Sequence, residues 1–185
     1  MLETFLLSGF GGQGVMFVGQ LLAYAAMDKG LEVTWIPSYG PEMRGGTAHC
    51  HVVISDKTIG STSVSRPGTG IIFNIPSWDK YESRVAPGGL LVVNSSLIPD
   101  AHTDRTDVTV LNVPAADLAD ELGNLRLSNV IMMGATLAAQ PVVTVADMRE
   151  SLSNHIPAHR RGMLDINYKA LEMGAKYALK NLVGA

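Results

Sequence analysis

Phe5-Leu6-Leu7-Ser8-Gly9-Phe10-Gly11-Gly12-Gln13-Gly14-Val15 passes from a short apolar run, through glycines, into a long apolar run that reaches Lys29. A short apolar run closed by glycine reads as a buried strand, here residues 5–8. The long run reads as a helix over 15–29, ended by Gly30 as a left-handed cap. Gly9, Gly11 and Gly14 keep the G-x-G-x-x-G spacing between strand and helix. In that arrangement the first glycine permits the tight turn, the second lets an anionic group approach the backbone, and the third lets helix and strand pack closely. The helix start offers unpaired N–H groups and a partial positive charge. Gln13 adds a side-chain amide able to donate to a ligand. Gly9, Gly11, Gly12, Gln13 and Gly14 are therefore candidate binding residues, with a purely structural strand–helix turn as the competing reading.

Working outward, strands are expected at 32–36, stopped by Pro37, at 49–54, 71–73, 90–93 and 108–113. Helices are expected at 76–84, 115–122, 128–139, 144–154 and 163–182. The fourth of these opens with Thr144-Val145-Ala146-Asp147, a capping box with Asp in place of Glu. Residues 59–70, rich in Ser, Thr, Gly and Pro, read as a surface loop. Strands alternating with helices imply an α/β fold: a doubly wound, mostly parallel, Rossmann-like sheet with helices on both faces. At 185 residues, a single domain spanning 1–185 is the default. Two helical stretches lack a polar face: between residues 15 and 27 only Gln20 is strongly polar, and between 130 and 139 nothing exceeds Thr136. Such helices are buried on more than one side, either by another subunit or as central helices of this domain.

A net charge of −3 leaves no footprint for nucleic acid. No apolar run reaches the roughly 20 residues of a membrane span. Glu3 near the start, with no basic segment, argues against a signal peptide and for a cytoplasmic location. The single cysteine, Cys50, excludes an internal disulfide and a self-contained iron–sulfur cluster, which needs about four thiolates. It reads as a small strand residue, not a nucleophile. His49 and His51 share a strand face with no third metal ligand nearby. Asn94-Ser95-Ser96 closes an apolar strand with three polar groups that either donate to a ligand on the glycine-loop edge or cap a turn. His159-Arg160-Arg161 reads as a solvated basic run. No serine has a nucleophile-elbow setting, which removes a hydrolase reading.

Dinucleotide binding would call for an acidic residue about 20 positions after the glycines. Trp35-Ile36-Pro37-Ser38 stands there instead. A second stiff loop begins at the same point, Pro37-Ser38-Tyr39-Gly40-Pro41-Glu42-Met43-Arg44-Gly45-Gly46-Thr47, in which two prolines restrict and three glycines widen the backbone angles. It is either a rigid connector or a surface shaped to present Ser38, Tyr39, Arg44 and Gly45 at the carboxyl edge of the sheet, where open α/β folds bind ligands.

Gly9–Gly14 together with Trp35–Ala48 resembles the gamma subunit of 2-oxoacid:ferredoxin oxidoreductases, the pyruvate/ketoisovalerate oxidoreductase family, and within it the 2-oxoglutarate synthase gamma chain. Pro87-Gly88-Gly89 with Asn94-Ser95-Ser96, and Leu127-Ser128-Asn129-Val130 with Met133-Gly134-Ala135, extend the likeness over about residues 6–178. Residues 71–76 depart from the family's commoner valine-alanine-leucine-asparagine-glutamine pattern. The resemblance implies the fold of domain III of pyruvate–ferredoxin oxidoreductase. It also implies a cytoplasmic, multi-subunit enzyme that oxidatively decarboxylates a 2-oxoacid with thiamine diphosphate, Mg and coenzyme A and passes electrons through iron–sulfur clusters to ferredoxin. This chain lacks the family's thiamine motif and cluster cysteines, so the resemblance implies alpha, beta and ferredoxin-like delta subunits as partners. It implies an inactive chain, able to pair as a homodimer, when isolated. The boundary residues it implies are Gly9, Gly11, Gly12, Gln13, Gly14, Ser38, Tyr39, Arg44, Gly45, Asn94 and Ser95, with Arg44 set to meet a carboxylate or phosphate. Branched-chain 2-oxoacids or pyruvate are the alternative substrates, and a stand-alone NAD(P)-binding oxidoreductase the alternative class.

Overall fold

β1 (Leu2–Phe10) is flanked on both sides, by β3 (Thr47–Ser55) and β4 (Thr69–Ile72). A computed structural model describes residues 1–38, 47–99 and 101–182. The remaining strands are β2 (Glu32–Ser38), β5 (Leu90–Asn94) and β6 (Thr109–Val113), and the order across the six-stranded sheet is β2-β3-β1-β4-β5-β6. The helices are α1 (Val15–Asp28), α2 (Ile75–Tyr81) with a 3₁₀ turn at Glu82–Arg84, α3 (Ala115–Glu121), α4 (Ser128–Ala139), α5 (Val145–His155) and α6 (Leu164–Leu182). The mostly parallel α/β sheet expected from the alternation is present.

β1, β4, β5 and β6 pair in parallel, and β3 alone runs antiparallel to both its neighbours. Residues 39–46 are too few to carry a crossover helix, so β3 must return antiparallel to β2. It then inserts between β2 and β1 and pairs with β1 over its whole length, from Leu2↔Ser55 to Phe10↔Thr47. The expected stop at Pro37 is corrected: β2 continues to Ser38, with Pro37 in register with Cys50. β2 is an edge strand, where the missing N–H of proline costs no ladder bond on the outer side.

The two sheet faces are unequally covered. Phe5, Leu7, Cys50, Val52, Ile54, Ile71, Val92, Leu111 and Val113 form the large core with α1, α3, α4, α5 and α6. Leu6, Ile72, Leu91 and Val93 form a smaller one with Tyr81, Val85 and Ile98, under α2 and its 3₁₀ extension. Residues from Asn129 to Leu137 of α4 are all buried. Neighbouring helices of the same chain supply that burial, so no second subunit is needed to explain its apolar sequence. α4 and α6 cross at two glycines: a Cβ on Gly134 would lie 2.0 Å from the Leu171 carbonyl oxygen, and one on Gly174 1.9 Å from that of Ile131. α1 is less enclosed, leaving Phe17 and Met27 exposed, while Gln20 donates to Tyr24 Oη at 2.9 Å.

Both bonds of the α5 capping box are made: Asp147 N donates to Thr144 Oγ1 at 3.0 Å and Thr144 N to Asp147 Oδ2 at 2.9 Å. Lys29, the C-cap of α1, pairs with Asp147 at 3.0 Å, joining the end of one helix to the start of the other. Among the described residues no helix is long and apolar enough to cross a membrane.

Candidate functional site at the carboxyl edge of the sheet

β1, β4 and β5 end side by side, with Gly9 and Asn94 in the last residues of β1 and β5 and with Gly11–Gly14 and Asn74 just beyond the ends of β1 and β4. The glycine loop is bound to the neighbouring strand end through Gln13. Its side-chain oxygen accepts from Phe10 N at 2.6 Å and from Asn74 Nδ2 at 3.2 Å, and its Nε2 reaches the Phe73 carbonyl at 3.5 Å. Asn74 is the N-cap of α2, its Oδ1 accepting from Ser77 N at 2.9 Å. Ser77 Oγ in turn receives the hydroxyl of buried Ser8 at 2.9 Å. One network thus ties the end of β1 to the start of α2.

The glycines have packing reasons. A Cβ on Gly9 would stand 2.6 Å from Gln13 Oε1 and 2.8 Å from Phe73 Cβ. Gly14, at φ 74°, has the left-handed backbone that glycine tolerates, and a Cβ there would meet Asn129 Nδ2 at 2.0 Å. Asn129, at the start of α4, donates to the Gly14 carbonyl at 3.3 Å. Gly12 is also left-handed, at φ 95°, but open space surrounds the position a Cβ would take. Of the loop residues named from sequence, Gly11 and Gly12 present exposed backbone, while Gly9, Gln13 and Gly14 are committed to the chain's own packing.

Ser38 is exposed at the end of β2, in register with His49, which pairs with Ser8. The two flanks of the second loop, Ser38 and Thr47, therefore stand at the same edge as the glycine loop. Tyr39, Arg44 and Gly45 lie outside the described residues. Asn94 is buried and uses its carbonyl to accept from Leu97 N and Ile98 N at 3.1 and 3.0 Å, while its Oδ1 is a buried acceptor with no partner among the described residues. Ser95 N donates to the Val113 carbonyl at 2.9 Å. Ser96 caps α3: its hydroxyl accepts from Ala116 N and Asp117 N at 3.2 Å. In the Asn94-Ser95-Ser96 triplet, capping belongs to Ser96, and the unspent polar atom belongs to Asn94.

Two functional neighbours escaped the sequence reading. Asn74 had a local signal, an asparagine two residues before Pro76 at the end of an apolar strand, the pattern of a helix N-cap. Asn129 lies in the Leu127–Val130 stretch of the resemblance, but its bond to Gly14 is not legible there, because that partner lies 115 residues away.

Cys50 is fully buried against Gly19, and burial pushes its thiol up to about 12, which removes it as a thiolate nucleophile. His49 and His51 meet edge to face at 5.8 Å between ring centres. No three His, Cys, Asp or Glu side chains among the described residues group into a metal site. With one buried thiol, iron–sulfur ligation does not fit this chain. The described edge offers exposed glycine backbone and a buried amide oxygen, the equipment of a binding and positioning surface.

A family model described as pyruvate ferredoxin/flavodoxin oxidoreductase matches residues 4–177. The ketoisovalerate oxidoreductase subunit VorA of Methanothermobacter marburgensis is 39% identical over 181 residues, covering 96% of this chain and 37% of VorA. The 2-oxoglutarate synthase subunit KorC of Methanocaldococcus jannaschii is 31% identical over 180 residues, covering 96% of this chain and 95% of KorC. The chain therefore spans just over a third of the VorA length and nearly all of KorC. The gamma subunit of a keto/oxoacid ferredoxin oxidoreductase from Geobacter sulfurreducens PCA has the same fold, with a TM-score of 0.81 at 27% identity over 96% of this chain and 99% of that one.

Proposed function

The chain belongs to the pyruvate ferredoxin/flavodoxin oxidoreductase family, and from that premise we propose that residues 1–185 form the gamma subunit of a cytoplasmic, multi-subunit 2-oxoacid:ferredoxin oxidoreductase. In this reading alpha, beta and ferredoxin-like delta partners carry thiamine diphosphate with Mg and the iron–sulfur clusters. The assembled enzyme converts a 2-oxoacid and coenzyme A to an acyl-CoA, with electrons leaving to ferredoxin. The observation that carries it is the match over 96% of this chain and 95% of KorC, a 2-oxoglutarate synthase subunit. The groups at the described edge agree: the one thiol is buried and protonated, and the Gln13 and Asn74 amides hold loops.

The substrate reading is 2-oxoglutarate, supported by the shared length with KorC. A branched-chain 2-oxoacid is the second reading, supported by the higher identity to VorA. Within the assembly, the glycine loop, Ser38, Tyr39, Arg44, Gly45, Asn94 and Ser95 form a boundary with the partner subunits near the coenzyme A or thiamine site.

Anaerobic purification from the host through this chain tests the proposal. Co-purification of thiamine-bearing and cluster-bearing subunits, with coenzyme A-dependent ferredoxin reduction, is the expected result. Comparison of kcat/KM for 2-oxoglutarate and 3-methyl-2-oxobutanoate assigns the substrate. A solitary chain with activity of its own would overturn the assignment. Arg44→Ala in the assembled enzyme is expected to raise KM for coenzyme A or the 2-oxoacid by about tenfold or more, the cost of losing one charge-assisted contact. Unchanged kinetics would remove Arg44 from the site.

A further inference from the structure

On the sheet face opposite α1, His49 and His51 of β3 look toward α2. They line a cavity of about 200 Å³ with Leu6, Tyr81, Lys80 and Arg84. The His49 ring lies 5.4 Å from that of Tyr81. Lys80 Nζ stands 5.1 Å and Arg84 Cζ 5.5 Å from the centre of the same Tyr81 ring. Val64, Ser65 and Pro67 complete the wall, and among the described residues no carboxylate lines it. Two polar atoms of the wall residues, His51 Nδ1 and Tyr81 Oη, are buried with no hydrogen-bond partner among the described residues.

This grouping is electrostatically one-sided. Lys80, in the last turn of α2, and Arg84, at the end of the 3₁₀ turn that follows, bring two cations to the same ring. Each shares the Tyr81 ring, and neither forms an ion pair among the described residues. Burial and the Arg84 cation both hold the His51 imidazole below its ordinary pKa, so the neutral ring is favoured. A negatively charged group in the cavity would be attracted by both cations and would offset the effect of Arg84 on His51. It would also give the Tyr81 hydroxyl an acceptor.

We propose that this cavity is a binding site for a small oxyanion, a phosphate or carboxylate group, seated against His51 and the Tyr81 hydroxyl and closed at its rim by Lys80 and Arg84. A planar guanidinium and a compact ammonium on the wall of one cavity suit oxygens presented on one tetrahedral or trigonal centre. His49 stands in register with Ser38, so the site adjoins the proposed boundary, but the inference stands whether or not the proposed oxidoreductase assembly is correct.

The test uses the full chain, labelled with ¹⁵N, and follows the histidine ring resonances while inorganic phosphate or succinate is added at constant ionic strength against sodium chloride. The expected result is a saturable shift confined to His49 and His51, with the His51 titration midpoint moving upward when the anion is bound. Saturation by phosphate alone marks a phosphoryl site, by succinate alone a carboxylate site, and by both a general oxyanion site. Arg84→Gln and Lys80→Gln, both on exposed side chains, are each expected to weaken binding about tenfold or more. Tyr81→Phe keeps the ring and removes only the hydroxyl, and is expected to weaken it too. Lys176→Gln, on α6, leaves it unchanged. No saturation by about 50 mM of either anion, far above the millimolar affinity of a weak site, would overturn the proposal. Equal binding by the wild type and Arg84→Gln would do so as well.

Discussion

Replacing Gly134 by alanine sets two opposed effects against each other, and the geometry decides the sign. In an isolated helix the change stabilises by about 1 kcal/mol, because alanine is the better helix former. Here the new methyl group would lie 2.0 Å from the Leu171 carbonyl oxygen and 2.9 Å from its carbon. Both are backbone atoms, so no rotamer change relieves the clash. α4 and α6 must separate by at least about 1 Å to bring the contact to 3.0 Å. A gap of that size forfeits a quarter to a half of the dispersion well for each facing atom pair, and overpacking of this kind costs about 1–3 kcal/mol or more. With backbone on both sides the upper end applies, and the net loss is about 2 kcal/mol. For a chain of this length that is a fall in Tm of about 4–8 °C. Differential scanning calorimetry and urea unfolding measure it. Gly162→Ala is the control, since nothing lies within 4 Å of its Cβ position, and it is expected to be neutral or slightly stabilising. The double variant with Gly174→Ala should cost less than the sum of the two singles, because one separation of the helices relieves both clashes. A Gly134→Ala protein as stable as the wild type would refute the close crossing.

Gly14→Ala forces a side chain into φ 74° and onto Asn129, and is expected to cost about 2 kcal/mol or more in chemical unfolding. Asn129→Ala should cost less, since it removes only the bond to the Gly14 carbonyl. Cys50, with its thiol raised to about 12, should resist a thiol-specific disulfide reagent at pH 8 in the folded chain and react at the unfolding rate; fast native labelling would contradict its burial. Hydrogen bonds from Thr144, with a further contribution from Lys29, hold the Asp147 carboxyl below its ordinary 3.8. That stability is present above 3.8 and is lost as pH falls through the folded-state value. Asp147→Asn should therefore be less stable by about 0.5–1 kcal/mol at neutral pH, with the gap closing in acid. A gap independent of pH would show that the charge plays no part.

Local chemistry carried much of this fold into the sequence. The 128–139 helix is legible because an apolar run lies between Ser128 and the Gln140-Pro141 stop, and the α5 start because Thr144 and Asp147 satisfy each other's backbone within one turn. The reading of Cys50 as a small strand residue follows from its place in an alternating strand, where it faces the opposite side from His49 and His51. At the carboxyl edge, the glycine spacing identified the loop, and the resemblance carried by residues 35–48 identified the family.

What tertiary structure alone decided are the relations between distant segments. The direction of β3 and its insertion between β2 and β1 come from chain reach and ladder pairing, which periodicity does not encode. The burial of α4 depends on α6 reaching it through Gly134 and Gly174, so of the two readings open for that apolar helix, a subunit contact or a central helix, the chain's own packing supplies the second. Gln13 reads as a ligand-facing amide until Asn74, 61 residues on, is seen to occupy its oxygen. Side-chain periodicity reports which face of an element is apolar. Which neighbour covers that face is settled only when the whole chain has closed around it.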